Sequence, residues 1–524
     1  MSNAKISVQA TSVGGATGDE NICDMWRTHY SDLLNSAKDT SKQKTVEDSI
    51  NVMTEKHRFI SQAEVADAIL SLKKGKAIGP DKLASEHFIY ACFSISKLLC
   101  IVFNCMFIHG HIPSNLMLTN IISIVKDKKG DLSDKDNYRP IAITCVASKI
   151  LELLIISKYG EFFATRCNQF GFKKKHSTDM AVFALKEVIN YYNSLSSPVY
   201  ACMLDSSKAF DRVNHYHLFD KLLKRGVPKL LVRLLFFWYK SQTFSVVCNN
   251  VISAPFTVSN GVRQGGVLSP ILFNIFIEDL SDILCDTKIG CYMNDTCLNH
   301  ICYADDAVLL APTPEALQLL INRCQEFASE NDMKYNVKKS VIMAFRSPVL
   351  GNLHLPTLYL GVTKLSWVYQ HKYLGVFICS DMRDDEDITR QIKSVYARGN
   401  ILVKHFKFCS KRVKIELFRT YLLNLYSCQL WYNYSPALYK RLKVAFNNIL
   451  RALLHVTRGA SISQVFVSNN ITDFNSLIRK NVYGFFQRLQ NCSNILIKTI
   501  LSSVYFIYGS SLLRKWCSLL YMPS

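Results

Sequence analysis

Apolar residues recur at helical spacing in the segment that follows Ser61. Val65, Ile69 and Leu72 lie three or four positions apart, and the pattern stops at Gly79–Pro80. The spacing therefore predicts a helix that runs into a basic loop.

Two runs rich in β-branched residues follow, at 120–131 and 137–146, and a polar turn separates them. This arrangement predicts a β-hairpin. The hairpin carries four basic residues, Lys126, Lys128, Lys129 and Arg139.

Helical and strand patterns then alternate. Ser177 is a candidate N-cap for a helix that ends near Leu195. The next strand, Tyr200–Leu204, leads directly into Asp205, and Asn214 is placed to cap another helix. This alternation predicts a mixed α/β region.

The two ends of the chain have different patterns. Residues 1 to about 20 are rich in Ser, Thr, Gly and Ala and have no apolar period, so we expect a disordered lead-in. From Arg390 onward the pattern is helical, with almost no Gly or Pro before Gly459. The longest apolar runs, around 116–125 and 495–508, are too short for a membrane span or contain a lysine.

Charge and cysteine content narrow the class of protein. The 524 residues are 49% hydrophobic, which is enough for a large core divided among two to four domains. Lys and Arg exceed Asp and Glu by 62 to 41, and the net charge of +21 favours a polyanionic partner. Nucleic acid is the first choice and an anionic membrane surface the second.

The scattered 18 Cys and the absence of a signal peptide at Met1 predict an intracellular protein, with nucleus and cytoplasm not distinguished.

Two adjacent acids give the sharpest local signal. Asp305 and Asp306 lie between apolar, β-prone flanks, which predicts a hairpin with carboxylates at its tip. Adjacent carboxylates in an apolar setting are costly unless a cation neutralises them, so a divalent metal site is indicated. The alternative is a solvated turn.

A third acid, Asp205, ends a strand and could meet Asp305 on a neighbouring strand. Phosphoryl transfer by two metal ions needs carboxylates that bridge the ions, which activate the attacking hydroxyl and hold the triphosphate. Asp205 and Asp305 would suffice for this, with Asp306 in support. Taken singly, each acid could equally be a helix cap or a surface residue.

From about Ile60 to Leu454 the chain resembles the reverse transcriptases of non-LTR (LINE-like) retrotransposons. The resemblance rests on segments that occur in the family's order: KKGKAIGPDKL (73–83), NYRPIAITCVASKILE (137–152), NQFGFKKKHSTDMAV (168–182), LDSSKAFDRVNH (204–215), NGVRQGGVLSPILFNIFI (260–277), CYADDAVLL (302–310), NVKKSVIMAF (336–345) and HKYLGVFI (371–378). One YADD segment alone is a moderate signal, whereas an ordered series is specific.

The resemblance implies an α/β (α+β) right-hand polymerase fold. We expect fingers at 60–198, a palm of antiparallel sheet plus helices with the primer grip at 199–380, and a helical thumb at 381–460. A C-terminal helical extension would occupy 461–524. Residues 1–59 would be a disordered lead-in and linker remnant, and the endonuclease domain usual in full LINE proteins is not expected.

The resemblance also implies an RNA-directed DNA polymerase that extends a DNA primer on an RNA template with dNTPs. Its cofactor would be two Mg²⁺ ions, for which Mn²⁺ can substitute. The family's metal ligands match Asp205, Asp305 and Asp306, and the backbone carbonyl of Ser206 would be a further ligand.

Nucleotide-binding residues are implied in the same way. Lys126 and Arg139 match fingers positions that grip the triphosphate. Phe210 matches the steric gate that selects deoxynucleotides, although it could instead be a core residue. Three further matches, Arg263, Gln264 and Gly265, form the loop that faces the incoming base pair.

A further segment resembles the family's primer grip, a turn that would position the primer 3′ end. It consists of Tyr373, Leu374 and Gly375. Lys339 matches the lysine proposed to protonate the leaving pyrophosphate, with Lys338 as the alternative.

A Cys/His cluster and an acidic cluster could suggest a zinc site and an RNase H site, but we interpret neither of them in this way. Cys285, Cys291, Cys297, His300 and Cys302 lack the paired spacing of zinc sites. The acids at 381–387 are interpreted as a solvated helix start rather than as an RNase H site.

Three alternative functions remain open at this level. They are a catalytically inactive, retroelement-derived nucleic-acid-binding remnant, a relative that makes RNA, and a membrane-associated basic protein. The last is disfavoured because no basic amphipathic helix stands out, so we expect no membrane partner. The sequence does not indicate an oligomeric state.

Overall fold

The computed structural model describes residues 12–37, 39–51, 57–346, 355–457 and 459–521. The helices are α1 (Asp19–Leu33), α2 (Gln43–Asn51), α3 (Gln62–Leu70), α4 (Ser85–Tyr90), α5 (Cys92–His109), α6 (Ser114–Met117), α7 (Val146–Tyr159), α8 (Thr178–Ser194), α9 (His215–Lys224), α10 (Lys229–Ser241), α11 (Ser269–Asp286), α12 (Pro314–Glu330), α13 (Asp385–His405), α14 (Lys411–Leu422), α15 (Pro436–Leu454), α16 (Ile462–Ser468), α17 (Phe474–Gln490), α18 (Ile495–Ser502) and α19 (Ser511–Tyr521).

The strands are β1 (Ser12–Val13), β2 (Ala16–Thr17), β3 (Leu118–Val125), β4 (Tyr138–Thr144), β5 (Val199–Leu204), β6 (Thr243–Cys248), β7 (Val251–Ile252), β8 (Phe256–Thr257), β9 (Tyr292–Met293), β10 (Thr296–Cys297), β11 (His300–Tyr303), β12 (Asp306–Ala311), β13 (Val341–Phe345), β14 (Tyr359–Leu360), β15 (Thr363–Lys364), β16 (Ser366–Trp367), β17 (Gln370–Tyr373) and β18 (Val376–Cys379).

The chain forms two compact units, each assembled from three separate segments. The first consists of Met1–Arg166, Ser206–Leu280 and Glu326–Lys334, and the second of Cys167–Asp205, Ser281–Gln325 and Tyr335–Ser524. The predicted limits of fingers, palm, thumb and C-terminal extension stay a prediction.

The first unit contains a five-stranded sheet in which β4, β3, β6 and β7 follow one another and β8 also pairs with β6. β3 and β4 form the predicted antiparallel hairpin, with Val125 opposite Tyr138. β3 runs parallel to β6 on its other side. The alternation of β-branched and polar residues in these strands accounts for the sheet, and the hairpin prediction is confirmed.

Helix α1 packs against this sheet, where we had expected a disordered lead-in and linker. Cys23, Trp26 and Tyr30 are buried, and they join a core that includes Ile121 and Phe244. Their spacing places them on one helical face, so the apolar surface that they bury outweighs the polar composition around them. The first eleven residues lie outside the described residues.

Helices α3 and α5 pack together in the same unit. α3 begins directly after Ser61, where the apolar spacing predicts a helix. The Ser61 hydroxyl accepts from the Glu64 N–H and the Glu64 carboxylate accepts from the Ser61 N–H, which caps the helix. α5 is one helix with the length and composition to cross a membrane, and 28% of it is buried. One such helix is weak evidence for a membrane span, and the expectation of no membrane partner stays a prediction.

The second unit is built on a five-stranded sheet in the order β11, β12, β5, β13, β16. Its pairs are antiparallel, except that β13 and β16 are parallel. Every residue of β5 is buried, as its continuous apolar run requires.

Helix α8 lies inside the second unit. All residues from Asp179 to Ile189 are buried, and the Phe183 ring contacts Phe485 and Trp516 of the C-terminal helices. Its start at Thr178 confirms the predicted helix. Ser177 is the N-cap residue, as predicted, but its hydroxyl donates to the Asp179 carboxylate instead of accepting from a backbone N–H.

The acids at 381–387 are only partly the solvated group that the sequence predicts, because Asp381 and Glu386 are exposed whereas two others are buried. Asp384 and Asp387 are 1% and 0% exposed. Asp384 pairs with the buried Lys186 amine, and Asp387 accepts from the Trp431 indole and from Arg390. Burying these charged side chains is tolerated because each one has a partner, and removal of either partner would leave a buried charge without a counter-ion.

Candidate active site

The second unit brings two of the predicted carboxylates to the ends of neighbouring strands. Leu204 of β5 lies opposite Ala307 of β12. Because the pair is antiparallel, the next position places Asp205 opposite Asp306. Asp305 lies in the adjoining turn between β11 and β12. The sequence predicted that Asp205 would meet Asp305 on a neighbouring strand; the register instead places Asp306 opposite Asp205, with Asp305 in the turn beside it.

The turn that carries Asp305 is held from outside by Gln169. The Gln169 amide donates to the Ala304 carbonyl at 3.1 Å and accepts from the Ala304 N–H at 2.8 Å. Ala304 has φ of 57°, a left-handed conformation that costs energy in a residue with a side chain. A Cβ on Gly171 would lie 2.3 Å from the Ala304 nitrogen, so only glycine fits there. The carboxylate turn is thus fixed by two contacts that close around Ala304.

Strand β11 is held by residues next to Gln169 in the chain. The Phe170 N–H donates to the Cys302 carbonyl, and the Cys302 N–H donates to the Asn168 carbonyl. The Asn168 amide also donates to the His300 carbonyl at 2.9 Å. Asn168 and Phe170 belong to segment 168–182, which resembles a family motif. The sequence indicates no role for them, because contacts over more than 130 positions leave no local signal.

A cavity of about 410 Å³ lies beside the carboxylates. Its polar lining residues are Asp205, Asp306, Lys338, Lys339, His371 and Lys372. Both of the candidate general-acid lysines are exposed and border the cavity, so the geometry does not choose between Lys338 and Lys339. Burial lowers the pKa of His371, and Asp205 opposes this by favouring the imidazolium form.

The predicted primer-grip turn is also part of this unit. Leu374 and Gly375, with φ of 44° and 84°, connect β17 to β18. The Tyr426 hydroxyl donates to the Leu374 carbonyl at 2.8 Å and lies 2.7 Å from the Thr178 hydroxyl. The Tyr373 side chain is only 4% exposed and belongs to the core. The turn itself, rather than the Tyr373 ring, is therefore accessible.

The first unit holds the predicted nucleotide-binding residues. Lys126 and Arg139 are exposed on the β3–β4 hairpin. The hairpin is tied to the segment before Phe210 because the Asp136 carboxylate lies 2.8 Å from the Lys208 amine.

Phe210 is partly buried and stacks on Phe273, with ring centroids 4.3 Å apart. One face of its ring is therefore used in packing. A fixed ring of this kind suits a steric gate, so the placement is compatible with both interpretations.

The loop that begins at Arg263 is organised by Glu152 of α7. The Glu152 carboxylate is fully buried and lies 2.6 Å from the Arg263 guanidinium. It also accepts from the Val267 and Leu268 N–H groups. Arg263 is 3% exposed and stacks on Trp238, which argues against the predicted nucleotide contact through its side chain. Arg263 instead shapes the loop.

In this loop Gln264 is half-buried and Gly265 is exposed. The Gln264 carbonyl oxygen of the backbone accepts from the Ala142 N–H at 2.7 Å. The Gln264 side chain donates to the Asp211 carboxylate at 2.7 Å. Gly265 has φ of 121°, and a Cβ there would lie 2.7 Å from the Ala142 carbonyl oxygen. Glycine is therefore required for the close approach of this loop to β4.

The carboxylate pair has a donor set that suits Mg²⁺. Mg²⁺ usually takes one or two protein carboxylates and completes its coordination with water and substrate phosphates. Asp205 and Asp306 offer two carboxylates at the edge of an open cavity. Within the described ranges, no three His, Cys, Asp or Glu side chains are grouped closely enough to hold a metal ion by themselves. The pair fits an ion that the substrate helps to hold.

Comparison with known proteins agrees with this geometry. Residues 126–378 match the family model described as reverse transcriptase (RNA-dependent DNA polymerase). The chain is 29% identical over 328 residues to the RNA-directed DNA polymerase from mobile element jockey of Drosophila funebris, covering 61% of this chain and 35% of the relative. It is 25% identical over 458 residues to the probable RNA-directed DNA polymerase from transposon BS of Drosophila melanogaster, covering 84% and 49%.

Both relatives are longer than the part that aligns, and the chain spans less than half the length of each. A solved structure of telomerase from Candida albicans, in complex with a fragment of telomeric RNA, matches at 10% identity with a TM-score of 0.38, over 98% of this chain and 85% of that one. The predicted mixed α/β class of a right-hand polymerase is confirmed by the family match together with the two sheets and their helices. Residues 126–378 thus match the reverse transcriptase family, and the chain is similar in sequence to the polymerases of non-LTR retrotransposons.

Proposed function

We propose that this protein is an RNA-directed DNA polymerase, which transfers nucleotides from dNTPs to the 3′-hydroxyl of a DNA primer on an RNA template. The observation that carries the proposal is the placement of Asp205 opposite Asp306 at the edge of an open cavity, within a segment that matches the reverse transcriptase family. The two relatives, both named as RNA-directed DNA polymerases, support the same activity.

The carboxylates would hold the reacting groups. Asp205 and Asp306, with Asp305 beside them, would bind divalent cations, for which we propose Mg²⁺, with Mn²⁺ as a substitute. Two bound Mg²⁺ ions would supply Lewis-acid activation of the 3′-hydroxyl and charge neutralisation at the triphosphate. The backbone carbonyl of Ser206 is proposed as an additional ligand. The two hydrogen bonds between the Gln169 side chain and the Ala304 backbone keep the carboxylate turn in one geometry, which lowers the entropic cost of orienting the reactants.

The other side chains would bind and orient the substrates. An exposed lysine at the cavity, Lys338 or Lys339, would donate a proton to the departing pyrophosphate. The turn at Leu374 and Gly375, fixed by Tyr426, would hold the primer end. A rigid turn suits this task because a displacement of about 1 Å at the reacting atoms can cost about 100-fold in rate.

Within the first unit, Lys126 and Arg139 are proposed to bind the triphosphate, because they are exposed cations on a hairpin. The stacked Phe210 ring would exclude a 2′-hydroxyl by a steric clash. Gln264 and Gly265 would contact the nascent base pair.

Primer extension on an RNA template with purified protein, Mg²⁺ and dNTPs tests the proposal. The wild type should extend the primer, and a variant carrying both Asp305→Asn and Asp306→Asn should extend it at least about 1,000-fold more slowly, because the two oxygen ligands lose their charge. Primer–template binding should change little.

A matched variant controls for the loss of two negative charges. Asp295→Asn with Glu315→Gln removes two exposed acids from the same unit and should extend the primer as the wild type does. Binding without extension by the wild type would instead favour an inactive nucleic-acid-binding remnant. Equal extension by the wild type and the Asp305–Asp306 variant would refute the assigned metal site.

A further inference from the structure

We infer that Asp211 is a positioning residue for Gln264, and that its carboxylate sets which way the Gln264 amide faces when a dNTP binds. This inference rests on the proposed polymerase function. It concerns a residue that would act through Gln264 without touching the substrate itself.

The contact between the two residues is direct and enclosed. The Gln264 amide nitrogen lies 2.7 Å from an Asp211 carboxylate oxygen. Asp211 is 4% exposed, so water does not compete for this carboxylate. An ionised carboxylate only accepts hydrogen bonds, and it therefore fixes the NH₂ end of the amide toward Asp211. The oxygen end of the Gln264 side chain must then face away from Asp211.

The backbones around this contact are also held. The Asn260 amide donates to the Asp211 carbonyl at 2.6 Å. The Val262 N–H donates to the Phe210 carbonyl at 2.8 Å. These bonds attach the segment before Gln264 to the short 3₁₀ turn Ala209–Arg212, which contains the proposed gate. We therefore expect a substitution at Asp211 to change the orientation of the Gln264 side chain and to leave the backbone in place.

The electrostatic setting makes the carboxylate responsive to protonation. Burial raises the pKa of Asp211 to about 6, while the Gln264 hydrogen bond and the charges of Lys208, Lys126 and Arg212 oppose this rise. Tyr30 of α1 also faces the carboxyl, and burial keeps its own pKa well above the usual range, so it stays neutral. A protonated Asp211 has an O–H to donate and no charge, so it can bind either end of the Gln264 amide. The amide is then no longer fixed in one orientation.

A consequence follows for substrate binding. At a pH well above 6 the amide has one orientation, and the dNTP meets a preorganised acceptor. Below that pH a fraction of the molecules present the NH₂ end instead, and the KM for dNTP should rise. The kcat should respond much less, because Asp211 does not touch the reacting atoms.

The experiment measures KM and kcat for a single dNTP against pH, on an RNA template, for the wild type and Asp211→Asn. Asparagine has the same shape but does not titrate. In the wild type, KM should rise roughly fivefold between about pH 7.5 and 5.5 as the charged hydrogen bond is lost. In Asp211→Asn, KM should be raised at both pH values and should show no such dependence. Asp48→Asn removes an exposed acid of α2 and should behave as the wild type.

A second variant tests whether Asp211 acts through Gln264. In a Gln264→Ala background, Asp211→Asn should leave KM within about twofold, because the coupling partner has been removed. An unchanged pH profile in Asp211→Asn, or a full additional effect in the Gln264→Ala background, would overturn the inference while leaving polymerase activity established. A wild type that extends no primer at any pH would overturn the proposed function and this inference together.

Discussion

At the residue scale, the site depends on buried polar side chains that hold the residues facing substrate. Glu152 binds the Arg263 guanidinium and two backbone N–H groups, and Gln169 binds both sides of Ala304. The acids Asp205 and Asp306 could be predicted because their chemistry is visible in short segments. Glu152 and Gln169 could not be given roles, because their partners lie more than 100 positions away and nothing local marks the pairing.

The Glu152–Arg263 pair leads to a prediction about stability. Glu152→Gln should lower the free energy of unfolding by about 3–5 kcal/mol, because it leaves the Arg263 charge buried without a counter-ion. Glu161→Gln is the matched control, since Glu161 pairs with Arg58 at the surface and such pairs contribute about 1 kcal/mol or less. Denaturant unfolding of both variants measures the difference. Equal losses in the two variants would contradict the role given to Glu152.

At the element scale, α8 is the structural centre of the second unit. The sequence predicted its start and approximate end, but its burial on every side came only with the structure. Because α8 is surrounded, its charged residues are also buried: Lys186 pairs with Asp384, and Glu187 is fully buried. The Ser510 and Asn190 side chains and the Lys186 charge lower the pKa of Glu187, but the effect of burial outweighs them. A helical pattern with two charges in its middle would ordinarily be placed at a surface.

Glu187 should make the stability of this helix packing depend on pH. Burial raises the pKa of Glu187 to about 7, so the folded state holds its proton more tightly than the unfolded state does. The stability it contributes is complete below the unfolded pKa and is lost as the pH rises through about 7. Glu187→Gln should therefore raise the melting temperature at about pH 8, and the gain should disappear toward about pH 4.5.

Thermal unfolding of Glu187→Gln at several pH values provides the measurement. Glu386→Gln, an exposed acid of α13, should show no gain that depends on pH in this way. A gain for Glu187→Gln of the same size at every pH would mean that its carboxyl does not titrate in this range.

At the scale of the whole molecule, charge is the property that composition alone reveals. The net charge of +21 favours binding to phosphate backbones wherever the cations lie. The described positions of Lys126, Arg139, Lys338 and Lys339 place exposed cations at the candidate sites of both units.

Binding to a primer–template should accordingly weaken steeply with salt. Neutralising about four phosphates predicts a loss of about 100-fold in affinity when the salt concentration rises fourfold, because the displaced counterions must be recovered. Fluorescence anisotropy with a labelled RNA–DNA duplex measures this slope. An affinity that does not change with salt would count against a phosphate-directed surface.

The sequence by itself determined the order of the motifs, most of the helices and strands around them, and the carboxylates that the chemistry needs. These follow from local patterns, because periodicity, caps and adjacent acids are written within a few residues. Only the tertiary structure decided that the segment around α1 is folded, that the Arg263 side chain is buried, and that Asp211 faces Gln264. Such contacts depend on burial and on partners that are distant in the chain, and a buried charge has the same letter in the sequence as an exposed one.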